Sequence, residues 1–227
     1  MHVVRRGRKR TLRIDGSLAS TWQPGLATTG SVWDALACAL LALPPAKRSN
    51  VLLLGLGGGS AARVVRALAP RARIVGVEID PAVVRLARRW FDLDALGVEV
   101  VVADAAAFLA RTRRRFDAVL EDVFVGDARR LRKPPGFPLP ALDQVRRILR
   151  PGGVAACNTL DESAEVRAAL AARFRRLARV EIADYDNQIF VASDGPLAAA
   201  ALREAVARDP VLGPSLRVLR FRRVRAR

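Results

Sequence analysis

Short apolar runs alternate with helix-like segments along most of this chain, and no other feature of the sequence limits its fold as strongly. The candidate strands cover residues 51–54, 73–77, 99–102, 118–121 and 154–157. Between them lie candidate helices at residues 61–68, 81–90, 105–112 and 139–149. Strands that alternate with helices are typical of a parallel sheet covered on both faces. The pattern predicts an α/β fold with a doubly wound, mostly parallel Rossmann-like sheet.

Smaller regions are expected on either side of this sheet. The stretch RTLRIDGSLAS alternates polar and apolar residues around Asp15 and Gly16, which predicts a β-hairpin. After the sheet, residues 162–176 read as a helix, and residues 177–183 and 188–192 as a closing pair of strands. The basic tail, LRVLRFRRVRAR, fits either an edge strand or a frayed end. We therefore divide the chain into a hairpin region (1–30), a main domain (31–195) and a C-terminal helix with a basic tail (196–227).

Composition limits the function and the compartment. The chain has 227 residues, of which 51% are hydrophobic, enough for one sizeable core. Its 39 basic and 22 acidic residues give a net charge of +17, but the arginines are spread over the whole length. A solvated arginine-rich surface is therefore favoured over a dedicated nucleic-acid site. The most apolar stretch, VWDALACALLALPP, is too short to span a bilayer, and two cysteines make no disulfide framework, so we predict a cytoplasmic protein.

A glycine-rich turn follows the first candidate strand. The stretch NVLLLGLGGGSAARVV, residues 50–65, runs from an apolar strand through consecutive glycines into a helix-like pattern. Glycine lets the backbone approach a ligand closely, and N–H groups at the start of the helix point toward it. A tight strand–helix connection without a ligand explains a single turn of this kind equally well, so the ligand interpretation needs support from other strands.

Carboxylates supply that support, because they collect at the carboxyl ends of the strands, where open α/β sheets bind their ligands. They are Glu78, Asp104, Glu121, Asp122, Asp161 and Glu162. Structural roles compete for some of them, since Asp104 and Asp161 are suited to capping helices and Glu78 to a solvated strand end. No helix begins after Asp122, which lies close to apolar residues. A functional role is therefore favoured for Asp122.

The ordered segments of this core resemble a known family. The chain carries GLGGGS, VEIDP, LARRWF, VADA, FDAVLEDVF and LRPGGV in this order. Their order and intervals resemble the S-adenosylmethionine-binding core of spermidine-synthase-like proteins, which include methyltransferases with that type of domain. The resemblance covers about residues 48 to 160 and extends to the hairpin through RIDG. It implies the class I methyltransferase fold, with S-adenosylmethionine or its decarboxylated form as co-substrate and no metal.

The resemblance also implies roles for individual residues. The donor would be bound by Gly55, Gly57, Gly59, Glu78, Ile79 and Asp104. Asp122 would face the acceptor as the catalytic residue. From their expected height on the sheet, further acceptor-binding residues are predicted to be Glu121, Asp161, Glu162, Tyr185 and Asn187. A nicotinamide enzyme is the weaker interpretation, because Ser60 replaces the last glycine of the dinucleotide-binding fingerprint.

Departures from the family pattern favour methyl transfer. Aminopropyltransferases carry an aspartate in the glycine loop, beside the place of the carboxylate that their donor lacks, and Gly58 stands at that position here. Such an aspartate would repel the carboxylate of ordinary S-adenosylmethionine. A second aspartate of those enzymes is matched by Val125, and a hairpin glutamine by Ala19. The full donor is therefore admissible, and parts that bind polyamines are missing.

Three functions stay open on the sequence alone. The favoured one is methyl transfer to an acceptor that the sequence does not identify, through attack of the acceptor on the donor's methyl carbon; an amine on a small molecule or a protein is one candidate, and a hydroxyl or a carbon stays open. The second is a polyamine aminopropyltransferase that uses decarboxylated S-adenosylmethionine. The third is a non-catalytic module whose acidic mouth grips a basic protein segment or whose arginines hold nucleic acid. A homodimer is compatible with each of them.

Overall fold

A computed structural model describes residues 1–224 of the chain. Its strands are β1 (His2–Arg6), β2 (Lys9–Ile14), β3 (Ser17–Trp22), β4 (Asn50–Leu54), β5 (Arg73–Glu78), β6 (Val98–Val102), β7 (Phe116–Glu121), β8 (Val125–Asp127), β9 (Arg130–Arg132), β10 (Leu149–Thr159), β11 (Arg176–Ile182), β12 (Gln188–Ser193) and β13 (Leu219–Arg223). Its α-helices are α1 (Val32–Ala37), α2 (Ser60–Leu68), α3 (Pro81–Phe91), α4 (Ala105–Arg111), α5 (Ala141–Ile148), α6 (Ser163–Ala171) and α7 (Ala199–Arg208).

The large sheet has the order β13-β11-β12-β10-β7-β4-β5-β6. The strands from β10 through β7, β4 and β5 to β6 pair in parallel, whereas β12 and β13 run antiparallel to their neighbours. The α/β class and the doubly wound, mostly parallel sheet are thus confirmed. The strand order reverses between β4 and β7, and open α/β sheets bind ligands at such a switch point. The glycine loop follows β4, and Asp122 follows β7.

The sheet is buried on both faces because its central strands carry continuous apolar runs, as at residues 51–54 of β4 and 118–120 of β7. In β4, Val51 and Leu53 pack in the cluster that includes α1, α2 and α7. Leu52 and Leu54 pack on the opposite face with residues of α4, α5 and α6. Alternate side chains of a strand point to opposite faces, so a continuous apolar run fills both layers.

The N-terminal region forms a separate sheet of three strands in the order β1-β2-β3. The predicted hairpin is β2–β3, and its turn places Asp15 at φ 47° and Gly16 at φ 82°, as an Asp-Gly hairpin turn requires. The sequence analysis did not identify β1. This sheet packs against α3, where Leu12, Val83 and Phe91 are buried together. It thereby covers one side of the glycine loop.

The C-terminal region joins the central sheet. Strand β13 pairs antiparallel with β11, so residues 219–223 of the basic tail form an edge strand. Residues 225–227 lie outside the described residues. The sheet therefore continues beyond residue 195, where the sequence analysis divided the chain. The short hairpin β8–β9, inserted between β7 and α5, was also not predicted.

Helix α1 is buried at every position and contains a charged side chain. The Asp34 carboxylate accepts hydrogen bonds from Thr29, from the Gly30 amide and from the Ser215 hydroxyl at 2.7–2.9 Å. A buried carboxylate requires such partners, so Asp34 joins the segment before α1 to the C-terminal region.

Both cysteines are free and buried, and burial raises the pKa values of the Cys38 and Cys157 thiols. Among residues 1–224, no helix has the length and apolar character needed to cross a bilayer.

Candidate active site

A cavity of about 570 Å³ lies at the carboxyl ends of the parallel strands. Its volume is within the range of small-molecule sites. The loops after β4, β5, β6 and β7 form its floor, while the β2–β3 and β8–β9 hairpins form its walls. The two hairpins meet, because the Ala128 amide donates to the Asp15 carbonyl at 3.0 Å. The cavity is therefore bounded by segments far apart in the sequence.

The glycine loop reaches this cavity through Gly55 and Gly57. A Cβ atom at Gly55, where φ is 81°, would overlap the carbonyl oxygen of Asp122. At Gly57, where φ is 53°, a Cβ would lie 2.9 Å from the Ala19 carbonyl oxygen. Glycine is thus required at both positions by backbone conformation and by close approach. The loop is packed between the segment after β7 and the N-terminal sheet.

Gly59 and Gly58 do not line the cavity. Gly59 precedes α2 with φ 85°, and a Cβ there would meet Leu93 at 2.9 Å, so its role is conformational. The Gly58 amide donates to the Ser20 hydroxyl at 2.6 Å, and a Cβ at position 58 would lie 2.8 Å from the Ser20 Cβ. The space beside Gly58 is therefore filled by Ser20.

The acidic residues at the end of β5 and after β6 line the cavity and also bind backbone amides. Glu78 accepts hydrogen bonds from the Gly57 amide at 2.8 Å and from the Asp80 amide at 3.1 Å. Asp104 Oδ1 caps α4 by accepting from the Ala107 amide at 2.8 Å. Asp104 is thus a helix cap, as the sequence suggested. It can still bind a ligand, because a carboxylate can accept more than one hydrogen bond.

Apolar side chains are exposed around this part of the cavity. Ile79 is 65% exposed, and Leu18, Val125 and Tyr185 are also exposed cavity-lining residues. Large apolar side chains left in contact with water in a concave site are suited to a ligand with an apolar, planar part.

Asp122 has both carboxylate oxygens engaged at the cavity wall. Trp33 Nε1 donates to Oδ2 at 3.0 Å, and Asn158 Nδ2 donates to Oδ1 at 2.7 Å. Asn187 Nδ2 in turn donates to Asn158 Oδ1 at 2.9 Å. The directions are set by chemistry, because a carboxylate only accepts and Asn158 must therefore turn its amide nitrogen toward Asp122. All four side chains line the cavity.

Three of the residues predicted to bind the acceptor lie elsewhere. Glu121 is buried beside Lys133, whose ammonium donates to Oε1 at 2.7 Å, and Glu121 does not line the cavity. Burial raises the pKa of the Glu121 carboxyl, and the Lys133 charge offsets part of this effect. Glu162 accepts from the Leu160 amide at 3.2 Å, while Asp161 is exposed. Tyr185 and Asn187 are the two that line the cavity.

The two residues that donate hydrogen bonds to Asp122, Trp33 and Asn158, were not among the predicted site residues. A tryptophan in an apolar helical stretch gives no sign that its N–H meets a carboxylate 89 positions away. Asn158 lies at the carboxyl end of β10. The criterion that selected the carboxylates, a place at the carboxyl end of a strand, would therefore have selected Asn158 as well. Residues 1–224 contain no group of three or more His, Cys, Asp or Glu side chains arranged to hold a metal ion.

The fold and this site define a protein of the spermidine-synthase type. The family model of the spermine/spermidine synthase domain matches residues 37–189, so the chain belongs to this family. A solved structure of a probable spermidine synthase from Corynebacterium glutamicum superposes with a TM-score of 0.76, covering 97% of this chain and 86% of that one, at 22% identity. That likeness shows the shared fold.

Closer sequence similarity is found among methyltransferases and aminopropyltransferases. The structure of human methyltransferase-like protein 13 in complex with SAH is 28% identical, with a TM-score of 0.68, covering 83% of this chain and 93% of that one. The Drosophila melanogaster eEF1A lysine and N-terminal methyltransferase homolog is 36% identical over 52% of this chain and 19% of its own. The polyamine aminopropyltransferase of Chromobacterium violaceum is 42% identical over 34% of this chain and 30% of its own. The matched segments thus span less than a third of these two relatives.

Proposed function

We propose that this protein is an S-adenosylmethionine-dependent methyltransferase that acts on an amine. One observation carries the proposal: Gly55, Gly57, Glu78, Asp104 and Asp122 converge on a single cavity at the switch point of the sheet. The family membership and the methyltransferase names among the relatives support it. Calorimetric titration with S-adenosylhomocysteine tests it most directly. Absence of binding at millimolar ligand would overturn the methyltransferase proposal and leave the non-catalytic module and the aminopropyltransferase, whose donor lacks the carboxylate.

The cavity has the features that the donor requires. Gly55 and Gly57 let the backbone approach the methionine and ribose end, Glu78 offers acceptors to the ribose hydroxyls, and Asp104 to the adenine amine. The exposed Ile79 side chain provides an apolar surface for the adenine ring. When bound, S-adenosylmethionine supplies an electrophilic methyl group on a sulfonium. The protein then has mainly to orient the acceptor and keep it neutral.

Asp122 is placed to act on the acceptor. The acceptor nitrogen attacks the methyl carbon, the carbon–sulfur bond breaks, and the nitrogen loses a proton. Asp122 attracts and orients the amine and accepts that proton directly or through water. Trp33 and Asn158 fix both carboxylate oxygens, so the orientation of Asp122 is set before the acceptor arrives. Tyr185 and Asn187 complete the acceptor side of the cavity.

Aminopropyl transfer is the second candidate, because several relatives are named polyamine aminopropyltransferases. The charge around the cavity argues against a polyamine acceptor. Arg13 lines the cavity, and Arg129, Arg130 and Arg132 are exposed on the adjoining β8–β9 hairpin. Like charges at an entrance repel a substrate with several ammonium groups.

The cytoplasmic location and a homodimer stay predictions.

Loss of either nucleoside-binding carboxylate should weaken S-adenosylhomocysteine binding. For Glu78→Ala and Asp104→Ala we expect a loss of about ten- to hundredfold, the scale of a charge-assisted hydrogen bond. Both alanine variants also remove a side-chain oxygen that accepts a hydrogen bond from a backbone amide. Asp104→Asn is a matched variant, because it keeps an acceptor for the Ala107 amide and removes only the charge. Glu78→Gln keeps an acceptor for one of the two amides that Glu78 binds, so it is the milder of the two Glu78 variants. Titration calorimetry with melting temperatures measures both effects, and unchanged affinity in all four variants would remove the nucleoside assignment.

The unmodified protein should bind S-adenosylmethionine at least as tightly as the decarboxylated donor, since no acidic residue stands in the glycine loop. Gly58→Asp alone is a poor test because its Cβ would meet Ser20. The combination Ser20→Gly with Gly58→Asp removes the contact with Ser20 and leaves the added Cβ 3.2 Å from Phe91 Cδ1, and Ser20→Gly alone is its control. The added carboxylate should shift preference toward the decarboxylated donor. A native preference for that donor, with aminopropyl transfer to putrescine, would establish the second candidate instead.

A further inference from the structure

Positively charged residues without acidic partners lie at the entrance of the cavity and along the outer face of the N-terminal sheet. They form what we call the rim patch, which consists of Arg6, Lys9, Arg13, Arg129, Arg130 and Arg132, all exposed. None of the six takes part in an ion pair within residues 1–224. By contrast, the neighbouring Lys133 is buried against Glu121. The cations of the rim patch are therefore available to a partner.

The rim patch covers two neighbouring segments, the N-terminal sheet and the β8–β9 hairpin. On the N-terminal sheet, Arg6 lies directly opposite Lys9, and Arg13 lies on the same face because residues alternate along a strand. Leu12 faces the opposite way, into the contact with α3. The hydrogen bond from Ala128 to Asp15 joins this sheet to the β8–β9 hairpin, which carries the other three arginines. The facing cations Arg6 and Lys9 destabilise each other unless an anion lies between them.

A shallow depression lies within the rim patch and adjoins the cavity. It has a volume of about 500 Å³ and is lined by Arg130 and Arg132, together with Asp15, Asp127 and Gly126. Gly126 also lines the cavity. One of the two acids is already used, because Asp127 Oδ1 accepts from the amides of Arg129 and Arg130. The depression thus presents two guanidinium groups, together with the carboxylates of Asp15 and Asp127, beside the cavity entrance.

The sign of the charge reverses inside the cavity. Its acidic lining residues are Glu78, Asp104 and Asp122, and Arg13 is its only basic lining residue in the part of the chain that the structure describes. An anion is therefore attracted to the entrance and repelled within it. A phosphate chain that entered would meet carboxylates, which disfavours nucleic acid as the acceptor. A molecule with an ammonium or amine at one end and carboxylates beside it matches both parts.

We infer that the acceptor is a polypeptide whose reactive amine is followed by acidic residues, and that these residues dock on the rim patch. The inference rests on the proposed function for the interior of the cavity. The amine would reach Asp122, while the following side chains lie over the β8–β9 hairpin and the outer face of the N-terminal sheet. Guanidinium groups bind carboxylates in a bidentate manner, so an arginine-rich rim is suited to Asp and Glu.

Direct peptide binding, measured without any donor, tests the inference. The probes are free-amine peptides of about ten residues that carry a run of Asp and Glu, of Ser and Gln, or of Lys and Arg after the first two residues. We expect the acidic peptide to bind about tenfold more tightly than the neutral one and the basic peptide most weakly. The preference should fade between about 0.1 M and 1 M salt, because the Debye length falls from ~10 to ~3 Å.

Charge reversal locates the binding surface. The variant Arg129→Glu/Arg130→Glu/Arg132→Glu should lose the preference for the acidic peptide by about tenfold or more. The matched control is Arg71→Glu/Arg111→Glu/Arg113→Glu, which changes the net charge equally. Its three arginines are exposed, unpaired among residues 1–224, and placed near the amino ends of the parallel strands. This control should keep the preference. Equal losses in both variants would reduce the effect to net charge and overturn the inference.

Two further outcomes separate this inference from its alternatives. An oligouridylate that binds more tightly than the acidic peptide, and loses binding in the rim variant, would identify a nucleic-acid surface and overturn the inference. N-acetylation of the acidic peptide should weaken its binding about tenfold, because the amine no longer pairs with the cavity; an unchanged affinity would overturn the link to the cavity. Failure of S-adenosylhomocysteine to bind would remove the proposed function without altering any of these peptide measurements.

Discussion

Asp122→Asn should leave donor affinity within about threefold of the native value while turnover falls by roughly 10² or more, the usual scale for a positioned acid–base group. In the proposed mechanism, the substitution removes the charge that attracts an amine and the base that accepts its proton. It also places an amide between two donors, Trp33 and Asn158. Asn158 and Asn187 can both turn their amides over to accommodate this change, so the site should stay folded.

Titration with S-adenosylhomocysteine and methyl transfer to an amine-bearing peptide measure the two quantities separately. Asp94→Asn is a suitable control, because it removes a carboxylate whose side chain is 73% exposed and lies outside the cavity lining. If Asp122 only braces the loop after β7, donor binding, turnover and melting temperature should decline together. Parallel losses of that kind would contradict a role in catalysis.

Lys133→Met should destabilise the protein by about 3–5 kcal/mol, because it leaves a buried carboxylate without its partner. The side chains of Lys133 and Glu121 are only 4% and 6% exposed, and their charged atoms are 2.7 Å apart. Lys133 also donates to the Val123 carbonyl and lies 3.9 Å from the centre of the Phe124 ring. It therefore holds the segment that connects Asp122 to the β8–β9 hairpin.

The double variant Glu121→Gln/Lys133→Met is the matched control, and it should recover most of the lost stability, since no charge is then buried. The effect also has a predicted pH dependence. Burial raises the pKa of the Glu121 carboxyl, and loss of Lys133 should raise it further. A carboxyl whose pKa is higher in the folded than in the unfolded protein stabilises the folded state at a pH below its unfolded pKa. This stabilisation is lost as the pH rises through the folded pKa.

The loss in free energy of unfolding of Lys133→Met relative to the native protein should accordingly be smallest near pH 4.5 and grow toward pH 8. Urea unfolding at both pH values, with the native protein measured in parallel, determines the difference. A double variant as unstable as the single one would show that packing, rather than charge, accounts for the loss.

The fold could be predicted because its determinants are local. The apolar run of β4 is buried on both faces, the Asp15–Gly16 pair sets the hairpin turn, and glycines mark the connection to α2. The edge that binds ligands follows from the fold, since parallel strands place their carboxyl ends together. For the same reason the sequence identified Glu78, Asp104 and Asp122 as cavity residues before any contact was known.

Only the tertiary structure decided what each side chain at that edge meets. Glu121 and Asp122 are adjacent in the chain, yet Glu121 is buried against Lys133 and Asp122 lines the cavity. The contacts from Trp33 to Asp122 and from Gly58 to Ser20 join residues 89 and 38 positions apart. Such contacts depend on how the sheets and hairpins pack, because residues distant in the sequence leave no shared periodic pattern from which their meeting could be inferred.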